Sequence, residues 1–379
     1  MKILFITRFD FLHDKKDGGL LGTYRNYTLL EQIYGKENIR LCIVSPNKNQ
    51  DHENVKYFFY PANIAYRYLM YLCLKDRISK KAEKEIIEYI NQYTPDLIFY
   101  DGSTFGQIVN KLNPIRKQVV YFHNIERHYT WEQVKKYNFL CIFRYFATRY
   151  NENKMVNNTE NRICVNERDA ALLEKLYHKK CNFILPATFT DTCCGRRLDE
   201  IKKDNAPDEK LNLLFVGSYF VHNYKGLVWF IDEVLPNTNA MLTIVGKGME
   251  KLQKKIHGTA SEKVIIRGTV ESLVEYYLAA DAVVMPIFMG GGIKVKTAEA
   301  LMYGKTIFAS TEALQGYDVQ GLNHIYVCDT REQYIEQIQR YMEERHKFKY
   351  NKDIRDLFLR KYCTENYLKS FKGYLDTMN

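Results

Sequence analysis

Three successive glycines, Gly290, Gly291 and Gly292, stand directly ahead of Ile293, Lys294, Lys296 and Glu299, where a short apolar run ending near Met285 gives way to a helical pattern. Glycines let a backbone approach a ligand closely, and the free amides at a helix start favour an anion. Two ammonium groups beside that spot add charge of the right sign, so a diphosphate fits this loop. A plain glycine turn leading into an amphipathic helix with solvated lysines fits the same residues equally well. Two other places carry chemistry-bearing types. Gly18 and Gly19 follow the first apolar run, where they either begin a helix or admit a ligand. His123 ends the run Val119 to Phe122, where an imidazole would face whatever lies beyond the strand end; capping the next turn is its bland alternative.

Other chemistries are disfavoured. A dinucleotide fingerprint needs Gly-x-Gly-x-x-Gly directly after the first strand, whereas here the glycines come about ten residues after Thr7. Gly304, Lys305 and Thr306 look like the end of a P-loop, but Glu299 stands where its first glycine belongs, and the triplet follows a helix. The 9 cysteines include no Cys-x-x-Cys pair, which argues for reduced thiols over a disulfide framework or a zinc knuckle.

The elements that must position these residues alternate. Strands are expected at 2–7, 40–45, 97–100, 119–122, 163–165 and 182–185, with helices near 20–33, 62–91, 105–112, after 126, and 167–177. The segment 196–210 is charged, with little that could be buried, and reads as a linker. The alternation then restarts, with strands at 211–216, 241–245, 263–266, 282–285, 306–309 and 325–328. Helices are expected at 226–235, 249–255, 271–279 and 293–303, with more to close the chain. Two doubly wound parallel sheets in tandem are the expected architecture, and such sheets facing each other would form one deep cleft at the carboxyl ends of their strands. A length of 379 residues suits two cores.

Lys plus Arg is 55 and Asp plus Glu 45, a formal net charge of +10 that favours anionic partners. No helix or loop concentrates basic residues with exposed aromatics in the manner of a nucleic-acid site, so nucleic acid is not an expected partner. Neither a signal-peptide core nor a membrane span is legible, and a cytoplasmic place is expected. Phe139, Phe143, Phe146 and Tyr150 recur at helical spacing after Trp131, with Lys135, Lys136, Arg144 and Arg149 alongside. Such a stretch either lies on an anionic membrane or packs inward. Tyr367, Leu368, Phe371 and Leu375 form a stripe expected to be core.

The loop at 289–301 resembles that of the retaining, nucleotide-sugar-dependent glycosyltransferases of the GT-B fold, in particular the large family 4 group. That group typically carries Glu-Gly-Phe-Gly, four residues, then Glu-Ala. Glu299 and Ala300 look like the second half, while the first Glu falls at Gly291, so the match is to a variant branch with Gly-Ile-(Arg or Lys)-x-Lys-x-x-Glu-Ala. Other segments are similar in order: Leu214 to Ser218, Asn223, Gly226 and Trp229 to Pro236; Val245 to Gly248; Ile266 to Gly268; Ala280 to Pro286. Gly18 and Gly19 resemble a glycine pair near the donor phosphates, and His123 the family's active-site histidine.

The resemblance implies an amino-terminal acceptor-side domain at 1–190, a linker at 191–210, and a nucleotide-sugar-binding domain at 211–363, with the helix at 364–379 packing back onto the first. It implies donor binding by Gly18, Gly19, Gly217, Ser218, Arg267, Gly290, Gly291, Gly292, Ile293 and Glu299, the last on the ribose. His123, Lys294 and Lys296 are the expected catalytic residues. The implied reaction moves a sugar from a nucleoside diphosphate to a glycan or lipid-linked acceptor with retained configuration. No cofactor is called for, since the nucleotide sugar is a substrate. The chain has no Asp-x-Asp triplet to hold a metal, so the lysines and oriented amides are expected to stabilise the departing diphosphate. A peripheral place on the inner membrane face goes with such an acceptor. The rival readings are a non-catalytic glycosyltransferase-like subunit, suggested by Gly291, and a sugar-nucleotide epimerase on the same fold.

Overall fold

A computed structural model describes residues 1–13, 18–47, 49–61, 63–75, 78–112, 117–136, 141–193, 210–256, 259–289, 293–343 and 350–378. The chain divides into two compact units, residues 1–188 with 367–379, and residues 189–366. Of the expected linker, 194–209 lie outside the described residues.

Unit 1 is built on β1 (Ile3–Thr7), β2 (Ile39–Ser45), β3 (Val55–Phe59), β4 (Leu97–Asp101), β5 (Lys117–Phe122), β6 (Asn161–Cys164) and β7 (Phe183–Ile184). They pair in parallel in the order β3-β2-β1-β4-β5-β6-β7. Ile3, Leu4, Phe5, Ile6 and Thr7 are all buried, as expected of a strand covered on both faces. The strand order reverses between β1 and β4, which places Thr7 and Asp101 side by side at the carboxyl edge. The helices are α1 (Gly18–Tyr34), α2 (Ile64–Leu72), α3 (Lys80–Tyr93), α4 (Gly106–Val109), α5 (Glu126–Lys136), α6 (Ile142–Asn158) and α7 (Glu167–Tyr177).

The single helix expected over 62–91 is two helices. Leu74 takes a left-handed φ of 55° after α2, and the Ser79 hydroxyl accepts from the Ala82 amide at 3.0 Å to begin α3 afresh. The edge strand β3 was not legible, because Lys56 breaks its apolar run and half of it is solvated. The aromatic stripe of α6 does not pack inward: Phe143, Phe146 and Tyr150 are exposed, while Ala147, Thr148, Asn151 and Met155 line the buried side. Phe139 lies outside the described residues.

Unit 2 contains β8 (Leu211–Val216), β9 (Ala240–Val245), β10 (Val264–Arg267), β11 (Ala282–Met285), β12 (Thr306–Ala309) and β13 (Ile325–Val327), parallel in the order β10-β9-β8-β11-β12-β13. Its reversal falls between β8 and β11. The helices are α8 (Val221–Trp229), α9 (Val274–Ala279), α10 (Val295–Met302), α11 (Arg331–Glu343) and α12 (Lys352–Lys361); the last helix, α13 (Thr364–Asp376), belongs to unit 1 from residue 367 onward. The helix expected at 226–235 starts at Val221 and ends in a π segment, Phe230–Val234, and the turn expected as a helix at 249–255 is 3-10. Gly226 is required where it stands: a Cβ there would lie 1.6 Å from the Pro286 carbonyl oxygen, so α8 can pass the β11 loop only without a side chain. In α13, Phe371 and Leu375, which belong to unit 1, are buried, and Phe371 meets Phe183 of the same unit with ring centroids 5.8 Å apart.

Candidate functional site

The carboxyl ends of β8 and β11 in unit 2 frame the first cluster. β8 runs into Gly217 and Ser218, and the first turn of α10 carries Lys296 back toward them. The Lys296 ammonium lies over the Phe215 ring at 4.4 Å and donates to Asn223 Oδ1 at 2.7 Å. Asn223 is fixed in turn, since its Nδ2 donates to the Ser218 carbonyl at 2.7 Å. A Cβ on Gly217 would come within 2.8 Å of Lys296 Nζ, so this glycine leaves the ammonium its place. Burial, opposed by the Glu299 charge and aided by that of Lys294, drives the Lys296 pKa down to about 7.

Glu299, one turn further along α10, accepts from the Tyr277 hydroxyl at 2.9 Å, and Tyr277 stacks flat on Tyr303. Burial raises the Glu299 carboxyl above its ordinary range against the pull of Tyr277 and Lys296. The two lysines part ways. Lys294 precedes α10 as its cap residue, its ammonium is paired with Glu312 at 3.0 Å, and its carbonyl accepts from Tyr317 at 2.7 Å. Ile293 packs against the apolar core of unit 2. Arg267 is exposed at the end of β10, where its carbonyl and that of Gly268 face the Gly246 amide. Gly290, Gly291 and Gly292 lie outside the described residues.

The second cluster occupies the corresponding edge of unit 1 and centres on Asp101, which the sequence does not single out. Its buried carboxylate accepts from Thr7 Oγ1 at 3.3 Å and Asn26 Nδ2 at 2.7 Å, from the Thr23 hydroxyl, and from His123 Nε2 at 2.9 Å. Burial alone would raise the Asp101 pKa, but the charge and hydrogen bond of His123, with the bonds from Thr23 and Asn26, bring it below the usual carboxylate range. His123 is half-buried between the edges of Phe9 and Tyr121, and its Nδ1 and Cε1 would lie 3.4 Å from a Cβ on Gly22 of α1. Gly18 and Gly19 open that helix.

The turn carrying His123 is held from behind. Glu152, buried in α6, accepts from the Glu126 and Arg127 amides at 2.7 and 3.1 Å, from Ser103 Oγ at 2.9 Å and from the Tyr177 hydroxyl at 2.7 Å. It caps α5, and burial pushes its pKa up to about 7. A signal for Asp101 existed: an acidic residue ending an apolar strand beside the first strand. Nothing local announced Thr23, Asn26 or Glu152, whose roles depend on helices brought in from elsewhere in the chain.

Residues 210–344 match the family described as glycosyl transferases group 1. No curated protein sequence matches the chain. Among solved structures, the chain is similar to a sucrose-phosphate synthase from Thermosynechococcus elongatus at 15% identity, covering 100% of this chain and 99% of that one, with a TM-score of 0.70. It is similar to the lipopolysaccharide outer core galactosyltransferase WaaB in its apo form at 15% identity, with both chains covered 100% and a TM-score of 0.69. It is also similar to HepE of Anabaena in complex with UDP-glucose at 13% identity, with both chains covered 100% and a TM-score of 0.62. The architecture in common is the GT-B fold. No helix among the described residues is long and apolar enough to cross a membrane.

Proposed function

We propose that the chain is a glycosyltransferase, on its GT-B fold and the match of residues 210–344 to glycosyl transferases group 1, that unit 2 binds a nucleoside diphosphate sugar at Lys296 and Glu299, and that the sugar passes to a glycan or lipid-linked acceptor with retained configuration. The observation that carries this reading is Lys296, a half-buried cation whose acceptor among the described residues is Asn223 Oδ1 and which stands in the first turn of α10 at the point where the strand order reverses. An anion there would gain from the ammonium and from the amides at the helix start, and the ammonium would regain the solvation it lost.

Transfer breaks the bond from the anomeric carbon to the diphosphate, forms a bond from that carbon to the acceptor oxygen, and releases the acceptor's proton. Negative charge grows on the departing diphosphate as its bond lengthens. A fixed cation that strengthens its interaction as that charge grows lowers the barrier without a divalent ion. Lys294, neutralised by Glu312, contributes less than Lys296, and in place of the Arg that the family often carries after its first strand this chain has Ser218. Glu299 is assigned to the ribose hydroxyls, with Gly217, Ser218, Arg267 and Ile293 around the nucleotide and Gly290 to Gly292 on the diphosphate. In unit 1, Gly18 and Gly19 are assigned to the same donor, and His123, oriented by Asp101, to the transferred sugar. The similarity to a lipopolysaccharide galactosyltransferase and to a UDP-glucose complex supports these classes of acceptor and donor.

The test is thermal unfolding against a panel of nucleoside diphosphates and their sugars. A ligand bound only by the folded protein raises Tm, by about 2.7 kcal/mol of stabilisation at a hundred times its Kd. One nucleoside diphosphate is expected to stabilise the protein, and the gain is expected to vanish in Lys296→Ala and Glu299→Ala. If none does so, a non-catalytic subunit replaces this reading; if the donor is turned over with no acceptor present, an epimerase does.

A further inference from the structure

We propose that unit 1 docks on an anionic lipid surface through the outward faces of α2, α5 and α6. The apolar part is led by α2, where Ile64, Leu69 and Leu72 expose 68%, 54% and 61% of their surface. Aliphatic side chains left this open are not covered by the described residues, and three on one short helix form a patch rather than scattered exposure. In α6, Phe143 and Phe146 also stand outward, and the opposite face of that helix is the one in the core.

α2 and α5 both pack against α6. Asn151 of α6 donates to the carbonyl of Leu74, just after α2, at 2.9 Å. Trp131 of α5 packs on Tyr145 of α6 with centroids 5.0 Å apart, and Tyr145 packs on Phe146 at 5.4 Å. Trp131 is itself exposed.

Charge selects the occupant. Lys154 sits over the Tyr150 ring at 4.4 Å, Lys135 over Trp131 at 5.8 Å, and Arg149 is exposed beside them. Among the described residues of α2 there is no acid; α6 has only Glu152, which is buried, and of the two acids of α5, Glu126 is half-buried in its first turn and Glu132 is paired with Lys135. Aliphatic side chains flanked by aromatic rings and then by cations match the sequence of acyl chain, interface and anionic headgroup. A second copy of this chain would set the same cations against each other, which disfavours self-association across this face. The inference deepens the proposed function, in which a lipid-linked acceptor would be met at such a surface.

The experiment is co-sedimentation of the full chain with vesicles of phosphatidylcholine, with and without phosphatidylglycerol. Binding is expected only with the anionic lipid, and it should weaken in high salt. The double substitution Leu69→Ser with Leu72→Ser, and separately Phe146→Ser, should each reduce vesicle binding by about tenfold or more. All three positions are exposed, so Tm and the nucleotide-induced rise in Tm should stay as in the parent chain. Three results would overturn the proposal: no binding to anionic vesicles, equal binding by the variants, or a dimer in solution that the double substitution dissolves. Vesicle binding without a nucleotide response would leave docking standing and the donor reading failed; the reverse result would separate them the other way.

Discussion

Each unit places an ionisable group where its strand order reverses, Asp101 buried and Lys296 half-buried, and the two are treated oppositely. In unit 1 the Asp101 carboxylate receives four hydrogen bonds and its pKa is held below the ordinary range. In unit 2 the Lys296 ammonium has Asn223 as its side-chain acceptor and its pKa falls to about 7. A buried charge whose ionised form is favoured stabilises the fold around it. One whose ionised form is disfavoured costs stability, and its cost is recovered when a counter-ion arrives. Asp101 therefore has its counter-charge and donors within unit 1, whereas the proposed function gives Lys296 its counter-charge from the donor's diphosphate.

The largest effect is expected where the satisfied ion is removed. Asp101→Ala leaves the donors of Thr7, Thr23, Asn26 and His123 facing a buried void, and urea unfolding should show a loss of about 3–5 kcal/mol. Because the folded pKa of Asp101 is depressed, its contribution is present above the unfolded value near pH 4 and is lost as the pH falls through the folded value. A loss below 1 kcal/mol would break the comparison from the side of unit 1.

Lys296→Met should act in the opposite sense. At pH 6, Tm of the ligand-free protein is expected to stay level or rise, while calorimetry should show nucleoside diphosphate affinity down about a hundredfold, near 2.7 kcal/mol. A marked fall in Tm would mean that the ammonium supports the fold, contrary to its assigned role.

The pH dependence sharpens the same point with a smaller effect. The folded pKa of Lys296 is about 7, below the unfolded value of about 10.4. Between those values the unfolded chain binds more protons, so this group makes the ligand-free protein more stable as the pH rises through that window. A diphosphate favours the protonated form, so its affinity should fall by up to about tenfold per pH unit above 7. In Lys296→Met this slope should be absent.

Smallest is Gly217→Ala. The added Cβ would stand 2.8 Å from Lys296 Nζ, the far end of a flexible side chain that can shift. Nucleotide affinity is expected to fall about threefold to tenfold, in line with displacement of one hydrogen-bonded ammonium, with Tm nearly unchanged. A drop as large as that of Lys296→Met would show that the glycine itself lies against the ligand.

Much of this molecule is legible from local pattern. The apolar runs 282–285 and 306–309 are the strands β11 and β12 to the residue, and the helix read at 167–177 is α7, begun by the Asn166 side chain accepting from the Asp169 amide. β3 was not legible because an edge strand with one solvated face lacks a continuous apolar run. The break between α2 and α3 hides in one left-handed residue and one cap, against an apolar periodicity that runs through both.

The sequence by itself determined the alternation of strand and helix, the glycine and lysine loop ahead of α10, and the strand-end position of His123. Those follow from periodicity and residue type, which act over a few neighbours. Only the tertiary structure decided that Lys294 is spent on Glu312 while Lys296 is turned to Gly217 and Asn223, and that His123 leans on Asp101. Such pairings join residues as far apart in sequence as Gly217 and Lys296, and desolvation, which shifts their charge, depends on what the whole fold lays over them.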